Sequence, residues 1–434
     1  MCAGARSVGA CYPAPVPKPT SLVVKLLLVA CLIWHALGIA TAWHDTLRDS
    51  SGRDFASYYY AEKVALSGGD PYDKAQLADA AQADATRRGV HPFFYPPPYL
   101  LTMLWVQPLS LVTAYRAWFW VDELFALLSM WVLWRWWRPL GPSVGLAIVA
   151  LIALMTAWPN NHEMGQMNWP IVLIVLLGLR EVERGRDGLG GALVGLGCMM
   201  KMSPALFVAW WLLHRRWRPA AAAVATAVVL SVAALAVVPF GIQLRFFTEV
   251  LPAFSSGRYN GLGVGINLFG NHSIPNLYDA MVPAGPAHLV LSDTARALSQ
   301  GTALLLVGLL AWALRSRPAD PLTLAAQVGA IAAAMLLIPV ITYEHHLVWL
   351  IPAAVASVAG IASKRLHVAW AVPVALAIGV ACFDLAVLKR HSLALTDTNL
   401  VLSVVIRELK FASIVVLWLS CLRLVRSAGA SASA

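Results

Sequence analysis

The chain has 434 residues, of which 59% are hydrophobic and only 12% are charged. Soluble domains carry roughly twice that charged fraction, so the composition excludes an ordinary soluble protein. The net charge of +10 does not indicate a nucleic-acid-binding protein either, because Lys and Arg collect in short loops beside apolar segments, as they do in the cytoplasmic loops of membrane proteins.

The chain begins with a proline-containing tail, residues 1–21, which is predicted to be disordered and cytoplasmic. The apolar run 22–43 then reaches the roughly 20 residues that a helix needs to cross a bilayer. Further runs between residues 22 and 428 bring the total to about 12 transmembrane or re-entrant segments. A second short tail, 429–434, ends the chain. The sequence therefore predicts an all-α polytopic membrane protein. We expect it to act as a monomer.

Two long polar loops, residues 44–98 and 241–295, interrupt the apolar segments. Both are predicted to lie outside the cytoplasm, together with "YEHH" (343–346), because the positive-inside rule assigns the positively charged loops to the cytoplasmic side. Those loops are "HRRWR" (214–218), "RSR" (315–317), "SKR" (363–365) and "RLVR" (423–426).

The first half of the chain fits this topology only if two segments do not cross the membrane. Residues 99–111 must enter the membrane and return, and "GCMMKMSP" (197–204) must be a break between two short helices. Irregular backbone at membrane depth persists only where protein or a water-filled cavity covers it. We therefore expect a covered polar cavity near the outer face.

The first polar loop is predicted to contain two interfacial helices. Gly68-Gly69 ends the first helix, and Asp73 caps the second, which ends near Gly89. One face of the first helix carries apolar and aromatic residues at helical spacing: Phe55, Tyr58, Tyr59, Ala65 and Leu66.

Asp54 stands immediately before this helix and has two interpretations. Asp is a favoured N-cap residue, so a structural role is one of them. A general base at the mouth of a membrane cavity is the other. Nearby, the three prolines of "FFYPPPYLL" (93–101) form an extended turn that would hold Tyr95 rigidly at the interface.

Two further polar features interrupt the apolar segments between residues 161 and 204: a polar segment and a single lysine. "NHEMGQMN" (161–168) carries His162, Glu163, Gln166 and Asn168, which form either a polar turn or a sugar-binding cluster, since amides and imidazoles pair with hydroxyls. Lys201 lies between two methionines, and a charge at membrane depth indicates a functional site unless it reaches the interface.

Asp122 and Glu123 are a second intramembrane charge group. They would pair with a cation such as Lys201 or Arg116, or form a proton relay in a transporter.

The second half adds a possible site at "TYEHHLVWLIP" (342–352), with Glu344, His345 and His346. The pattern is not HExxH, so zinc is not expected. The second long loop contributes Arg258 and "GNHSIPNL" (270–277). The six cysteines lie in apolar segments or in the N-terminal tail, so no structural disulfide is expected.

Six segments in this order resemble glycosyltransferase family 87, a bacterial family of the GT-C superfamily. They are "RDFASYYYAEKVALSGGDPYD", "FFYPPPYLLTMLWVQPLSL", "HEMGQMNWPIVLIVLLGL", "GALVGLGCMMKMSPALFVAWWLLHRRWR", "GNHSIPNL" and "TYEHHLVWLIP". Together they span about residues 53–352. The resemblance implies a GT-C fold and the transfer of a sugar, most often mannose and in one branch arabinofuranose, from a polyprenyl-phosphate donor to a lipid or glycan acceptor.

The resemblance also implies site residues. The family's acidic base after the first span corresponds to Asp54, its Lys-x-x-Pro element to Lys201 and Pro204, and its histidine pair to His345 and His346. The family's His-Gly-Gln reads Glu-Met-Gly-Gln here, which leaves Gln166 and Asn168 as sugar-binding positions beside Tyr95.

No DxD motif is present, so neither a metal nor another cofactor is expected. The predicted leaving group is a phosphate that Lys201, a histidine and Arg258 stabilise directly. The active site would face the outside of a bacterial cytoplasmic membrane.

Two other classes of protein are considered. A transporter or lipid flippase would use Asp122, Glu123 and Lys201 as an intramembrane relay, but the paired repeats of many transporters are not evident. A membrane scaffold without catalysis would show scattered polar caps and turns.

Overall fold

The computed structural model describes residues 22–85, 89–259 and 261–432. Across these residues the chain is helical and contains no β-strand. The predicted N-terminal tail, with Cys2 and Cys11, lies outside the described residues. The last helix extends to Ala432, four residues past the predicted tail boundary at 428. The four cysteines within the described ranges are free thiols.

The first half of the fold begins with one long helix and two short loop helices, and then continues through a series of apolar helices. These helices are α1 (Leu22–Arg48), α2 (Phe55–Leu66), α3 (Lys74–Ala83), α4 (Leu111–Trp137), α5 (Pro142–Leu154), α6 (Ala157–Met164), α7 (Asn168–Glu183), α8 (Asp187–Met200), α9 (Ala205–Leu213) and α10 (Trp217–Ala233).

The second half begins with short helices in the second polar loop and ends with the longest helix of the chain. These helices are α11 (Phe240–Arg245), α12 (Leu251–Ser255), α13 (Ile274–Met281), α14 (Asp293–Ala313), α15 (Pro321–Leu337), α16 (Ile351–Ala362), α17 (Ala371–Cys382), α18 (Leu385–Leu395) and α19 (Leu400–Ala432). A π-helix spans Phe246–Val250, and 3₁₀ segments span Pro97–Val106, Arg138–Leu140, Ala234–Ala236, Glu344–Leu350 and Val368–Trp370.

Five helical stretches are long and apolar enough to cross a membrane, by length and composition. They are Lys25–Arg48, Leu111–Leu140, Trp217–Ala236, Asp293–Ala313 and Glu344–Ala362. Two bent pairs, α5 with α6 and α17 with α18, raise the number to seven if each pair forms one span. Other apolar segments fold as helices shorter than 18 residues, among them α8 and α15, so this count is below the about 12 segments expected from hydropathy. The chain is an all-helical multi-pass membrane protein.

The candidate spans differ in how much of their surface the protein covers. Only 11% of the apolar window of α1 is buried, and α10 and α14 reach 22%. The stretch Glu344–Ala362 is 78% buried. Exposed apolar stripes of this size are expected to face lipid, whereas Glu344–Ala362 forms the centre of the bundle.

The break around Lys201 has the predicted form, with α8 ending at Met200 and α9 starting at Ala205. Glycines bring α8 close to α10. A Cβ atom on Gly191 or Gly195 would lie within 2.5 Å of a carbonyl oxygen of α10, so only a residue without a side chain fits at this contact. This packing fixes the end of α8 and therefore the position of Lys201.

The segment 99–111 does not form a long α-helix. The 3₁₀ segment Pro97–Val106 has ten residues, which at roughly 2 Å per residue is too short to cross a bilayer of about 30 Å. Tyr99, Leu100, Met103 and Val106 are all buried. The segment therefore enters the protein without spanning it.

The first polar loop contains the two predicted helices, α2 and α3, although α3 ends at Ala83, before the predicted end near Gly89. Asp73 caps α3 as predicted, and its side chain accepts a hydrogen bond from Ala75 N. The prediction of a one-sided interfacial helix is wrong for α2, because ten of its 12 residues are buried, whereas Leu66 is exposed. The helix is enclosed by the 3₁₀ segment, α3 and α4.

Candidate active site

Asp54 precedes α2 but does not cap it. Its backbone is helical (φ −70°, ψ −25°), and its side chain makes no capping hydrogen bond. Oδ2 instead accepts a hydrogen bond of 2.8 Å from Nε2 of Gln166. The N-cap interpretation is therefore wrong, because a partner 112 residues away along the chain replaces the local cap. The carboxylate points towards the protein interior.

Gln166 is held in one orientation by two tyrosines. Its Oε1 accepts hydrogen bonds from the hydroxyl groups of Tyr58, at 3.0 Å, and Tyr95, at 3.3 Å. The two hydroxyl oxygens lie 2.9 Å apart. Because the carbonyl end of the amide takes both hydroxyls, its NH₂ end faces Asp54. The predicted residues Asp54, Tyr95 and Gln166 thus form one cluster, to which Tyr58 belongs as well.

A strained turn leads into Asp54. Gly52 and Arg53 both have positive φ, 67° and 42°, and a non-glycine residue pays a conformational cost there. Two acids hold Arg53 in this conformation: Asp49 at 2.9 Å from Nε and Glu163 at 3.5 Å from Nη1. The turn directs the side chains of Arg53 and Asp54 to different partners.

His91 also contacts Asp54, and sequence reasoning missed it. Its Nε2 lies 3.7 Å from Asp54 Oδ1, and 44% of its side chain is exposed. Burial raises the pKa of Asp54 above its ordinary value, although the charge of His91, the hydrogen bond from Gln166 and the charge of Arg53 act in the opposite direction. Because the Asp54 side chain keeps 26% of its surface exposed, the carboxyl group remains accessible. Only its position just before "PFFYPPP" hinted at a role for His91.

Lys201 extends from the break between α8 and α9 to Asn168. Nζ donates a hydrogen bond of 3.1 Å to Oδ1 of Asn168. Nδ2 of Asn168 donates to the backbone oxygen of His345 at 3.2 Å. The rings of His345 and His346 lie beside each other, with their centroids 4.3 Å apart. Four predicted site residues therefore meet here.

Tyr343 belongs to the Lys201 cluster. Its backbone N donates to Nδ1 of His346 at 3.0 Å, and its ring centroid lies 6.0 Å from that of His345. Burial, together with the charge of Asp54, raises the pKa of the Tyr343 phenol to about 12. Gln166 of the Asp54 cluster and Asn168 of the Lys201 cluster are only two residues apart along the chain, so the two clusters are adjacent.

The prediction that Asp122 and Glu123 pair with Lys201 or Arg116 is wrong. Nδ1 of His162 contacts Oδ2 of Asp122 at 2.5 Å, and Nε2 contacts Oε2 of Glu123 at 2.8 Å. His35 of α1 reaches the other oxygen of Glu123 at 3.0 Å. Arg116 donates to a backbone oxygen of α1 instead. Histidines satisfy these acids because buried charges require close partners.

This buried acid group reaches the site through two asparagines. Asn161 donates to Asp122 at 2.7 Å and accepts from Asn168 at 2.8 Å. Asn168 in turn accepts from Lys201. The acids therefore hold in place the residues that hold Lys201, and they have no direct contact with it among the described residues.

Glu344 turns away from the two histidines that follow it. Oε1 lies 2.5 Å from Nζ of Lys410 in α19, and Oε2 lies 3.5 Å from His272. Thr156 donates to the same carboxylate at 3.0 Å. This buried group ties the segment that carries His345 and His346 to the last helix.

Arg258 is exposed, and the structure gives its side chain no hydrogen bond or ion pair with the site among the described residues. Its neighbourhood reaches the first loop through Phe254, which stacks on Phe94 with ring centroids 4.1 Å apart. A role for Arg258 stays a prediction.

Comparison with known proteins identifies the family. The model of glycosyltransferase family 87 matches residues 93–339, which is more than half of the chain. The chain belongs to glycosyltransferase family 87. The match to family 87 includes Tyr95, Gln166, Asn168 and Lys201, whereas Asp54 precedes the matched range.

Curated members with similar sequences are mannosyltransferases. A polyprenol-phosphate-mannose-dependent α-(1-2)-phosphatidylinositol pentamannoside mannosyltransferase of Mycolicibacterium smegmatis is 27% identical over 351 residues, which cover 78% of this chain and 77% of that protein. Two polyprenol-phosphate-mannose-dependent α-(1-2)-phosphatidylinositol mannoside mannosyltransferases are similar over shorter stretches. That of Mycobacterium tuberculosis is 27% identical over 47% of this chain and 45% of its own length. That of Mycolicibacterium smegmatis is 28% identical over 49% of this chain and 45% of its own length. No solved structure matches this family 87 chain.

Proposed function

We propose that the protein transfers mannose from a polyprenyl-phosphate donor to a hydroxyl group of a lipid-linked or glycan acceptor, with inversion at the anomeric carbon. The donor class is inferred from the three similar mannosyltransferases, each of which is polyprenol-phosphate-mannose-dependent. Their acceptors, phosphatidylinositol mannosides, support a lipid-linked acceptor.

The observation that carries this proposal is the hydrogen bond from Gln166 to Asp54. A carboxylate that caps a helix has its oxygens occupied by backbone amides. Asp54 instead has one side-chain donor, an accessible surface and a raised pKa. A base of this kind, together with the cation and the two imidazoles of the Lys201 cluster, fits a reaction that removes a proton at one end and releases an anion at the other.

The reaction is a single displacement. Asp54 accepts the proton of the acceptor hydroxyl while the hydroxyl oxygen forms a bond to the anomeric carbon of mannose. The bond between that carbon and the phosphate oxygen breaks, and both of its electrons leave with the phosphate. Attack from the side opposite the leaving group inverts the configuration. Asp54, whose side chain is partly exposed, then releases the proton to solvent.

The leaving phosphate is stabilised by Lys201 together with His345 or His346. Asn168 orients Lys201 through a hydrogen bond, and burial strengthens the attraction between ammonium and phosphate. Tyr95, Gln166 and Asn168 offer hydroxyl and amide groups to the sugar. These groups do the work that a metal ion would otherwise do, so we propose that no cofactor is needed.

The lipid substrates fix where this chemistry occurs. A polyprenyl-phosphate sugar keeps its tail in the bilayer and its phosphate at the surface, so the reacting carbon lies at the interface. We assign the protein a GT-C architecture of about 12 transmembrane or re-entrant segments, as a monomer in a bacterial cytoplasmic membrane with Asp54 on the outer side. The break at Lys201 and the short segment Pro97–Val106 support this arrangement, because both bring irregular backbone to one polar site.

Transfer from purified polyprenyl-phosphate-mannose to a lipid acceptor tests the function. The protein is assayed in detergent with EDTA present, and in parallel with a nucleotide sugar and with polyprenyl-phosphate-arabinose. We expect transfer from the mannose donor alone, unaffected by EDTA. Transfer from the nucleotide sugar would contradict the proposed donor class. A preference for the arabinose donor would place the protein in the arabinofuranosyl branch of the family. Loss of activity with EDTA would contradict the metal-free mechanism.

Cysteine labelling tests the topology. Ser50→Cys, Ser256→Cys and Thr398→Cys, each in a variant without the six native cysteines, should react with an impermeant thiol reagent in intact cells. Ser316→Cys, in a loop predicted to be cytoplasmic, should react only after lysis. The reverse pattern would contradict the outward-facing site.

A further inference from the structure

A wide groove lies on the opposite side of α2 from the Asp54 cluster. Its volume is about 920 Å³, near the upper end of the roughly 300–1,000 Å³ of small-ligand sites. Tyr59, Tyr60 and Lys63 of α2 line it, whereas Tyr58 of the same helix contacts Gln166. Neither Asp54 nor Gln166 lines the groove, so it is separate from the site described above.

The groove lies where two candidate membrane spans meet the polar loop between them. Its other walls are the last residues of α1, the turn that follows, and the first residues of α4. Both helices are candidate membrane spans, and α2 belongs to the polar loop between them. A headgroup can therefore reach the groove while its lipid chains remain between the spans.

The charged side chains that the structure describes along the groove are equal in number. They are three cations and three carboxylates: Arg48, Arg53, Lys63, Asp45, Asp49 and Asp84. Arg53 is paired with Asp49 at 2.9 Å, and Lys63 with Asp84 at 2.6 Å. Among these described residues a phosphate would meet as many carboxylates as cations, and this favours a neutral ligand over an anion. Sugar hydroxyls both donate and accept hydrogen bonds and thus fit a mixed lining, and tyrosine rings offer apolar faces to sugar rings.

The groove and the predicted base share one turn of the backbone. Arg53 lines the groove, and Asp54, the next residue, accepts from Gln166 on the other side. The positive φ of Gly52 and Arg53 produces this divergence. A ligand with several sugar units can cross the turn and occupy both places, whereas a single sugar cannot.

We infer that this groove binds the neutral glycan part of the acceptor headgroup, beyond the sugar that receives mannose. The identity of the ligand rests on the proposed function. Acceptors with several sugars should therefore bind better than acceptors with one. The groove is a second contact point, and it selects acceptors by the length of their glycan.

Direct binding tests the inference without relying on transfer. The purified full-length protein in detergent is titrated with α-mannotriose, and binding is followed by saturation-transfer NMR. We expect Arg48→Gln to weaken binding about tenfold, the loss for one hydrogen bond to a charged group. Val112→Trp, which fills the groove from α4, should weaken it at least as much. The matched controls are Arg390→Gln and Leu393→Trp on the exposed surface of α18, which should bind as the wild type does.

Two results of this titration overturn the inference. One is the absence of mannotriose binding to the wild type. The other is binding that neither groove variant changes. If glycerol phosphate binds in a manner sensitive to Arg48→Gln while mannotriose does not, the ligand is an anion and the assignment to a neutral glycan is wrong.

A transfer assay then connects the groove to catalysis. The KM values for lipid acceptors with one and with three mannoses are compared in the wild type and in Arg48→Gln. We expect the wild type to favour the longer acceptor about tenfold, and the variant to lose most of that advantage. An advantage that persists in the variant contradicts the inference. Failure of the wild type to use polyprenyl-phosphate-mannose at all contradicts the proposed function and leaves the titration as the test of the groove.

Discussion

Two groups of acidic side chains in this protein are built differently. Asp54, outside the spans, has one hydrogen-bond donor at 2.8 Å and a quarter of its side chain exposed. Asp122 and Glu123, inside α4, are surrounded by His162, Asn161, Trp158 and His35, and Asp122 is fully buried.

The difference distinguishes the proposed base from carboxylates that lack the properties of one. A general base needs room for a substrate hydroxyl and an oxygen that is free to accept its proton. The acids of α4 have no room for a substrate, and their charges are matched by neighbouring imidazoles. The number of partners, more than the depth of burial, distinguishes the two groups.

Asp54→Asn should have the largest effect on activity. The substitution preserves shape and removes basicity, so turnover should fall by on the order of 10²–10⁴-fold, while the protein remains folded. Steady-state transfer and donor binding by the purified variant measure this. Asp79→Asn, at an exposed acid of α3, is the matched control. Near-normal turnover by Asp54→Asn would show that Asp54 is a structural residue after all.

Asp122→Asn should act on stability instead. Removing one member of a buried charge pair leaves the other without its partner, which typically costs about 3–5 kcal/mol. Unfolding in detergent, followed by titration with SDS, measures the loss. Asp293→Asn, at an acid whose side chain is 95% exposed, should change little. If Asp122→Asn is as stable as the wild type but inactive, the α4 acids are catalytic and the comparison fails.

Lys201→Met should weaken donor use. Methionine keeps the apolar stem between Met200 and Met202 and removes the charge, so we expect a loss of roughly 2–4 kcal/mol of transition-state stabilisation, as for deletion of one oxyanion donor. Lys201→Arg should retain part of the activity. The measurement is kcat/KM for polyprenyl-phosphate-mannose, and full activity of the methionine variant would rule out contact with the phosphate.

His91→Gln should have the smallest effect, about twofold to fivefold, as expected for a partly exposed ion pair. The effect of His91→Gln is recognised from the pH dependence of kcat/KM. The charge of His91 lowers the pKa of Asp54, so its removal raises that pKa. The deprotonated base is then lost at a higher pH, and the acidic limb of kcat/KM should move upward. An unchanged limb would mean that His91 does not act on the base.

The sequence predicted the features that depend on local patterns. Apolar runs predicted the helices, and Asp73 predicted a helix cap. The methionine-flanked lysine and Pro204 predicted the break before α9. The local preference of Asp for N-caps failed at Asp54, because Gln166 supplies a stronger tertiary partner. The pairing of Glu123 with His35, 88 residues away, could not be predicted, since no pattern along the chain relates residues on separate spans.

The ion pair between Glu344 and Lys410 has a consequence for how the protein is made. The lysine follows the glutamate by 66 residues, so it enters the membrane well after the segment that carries the two histidines. Until then, the carboxylate lacks the cation that makes its burial tolerable. The nascent chain therefore completes its site only when the last helix inserts. A chain that stops before Lys410 should be degraded faster in a pulse–chase experiment than the full-length protein.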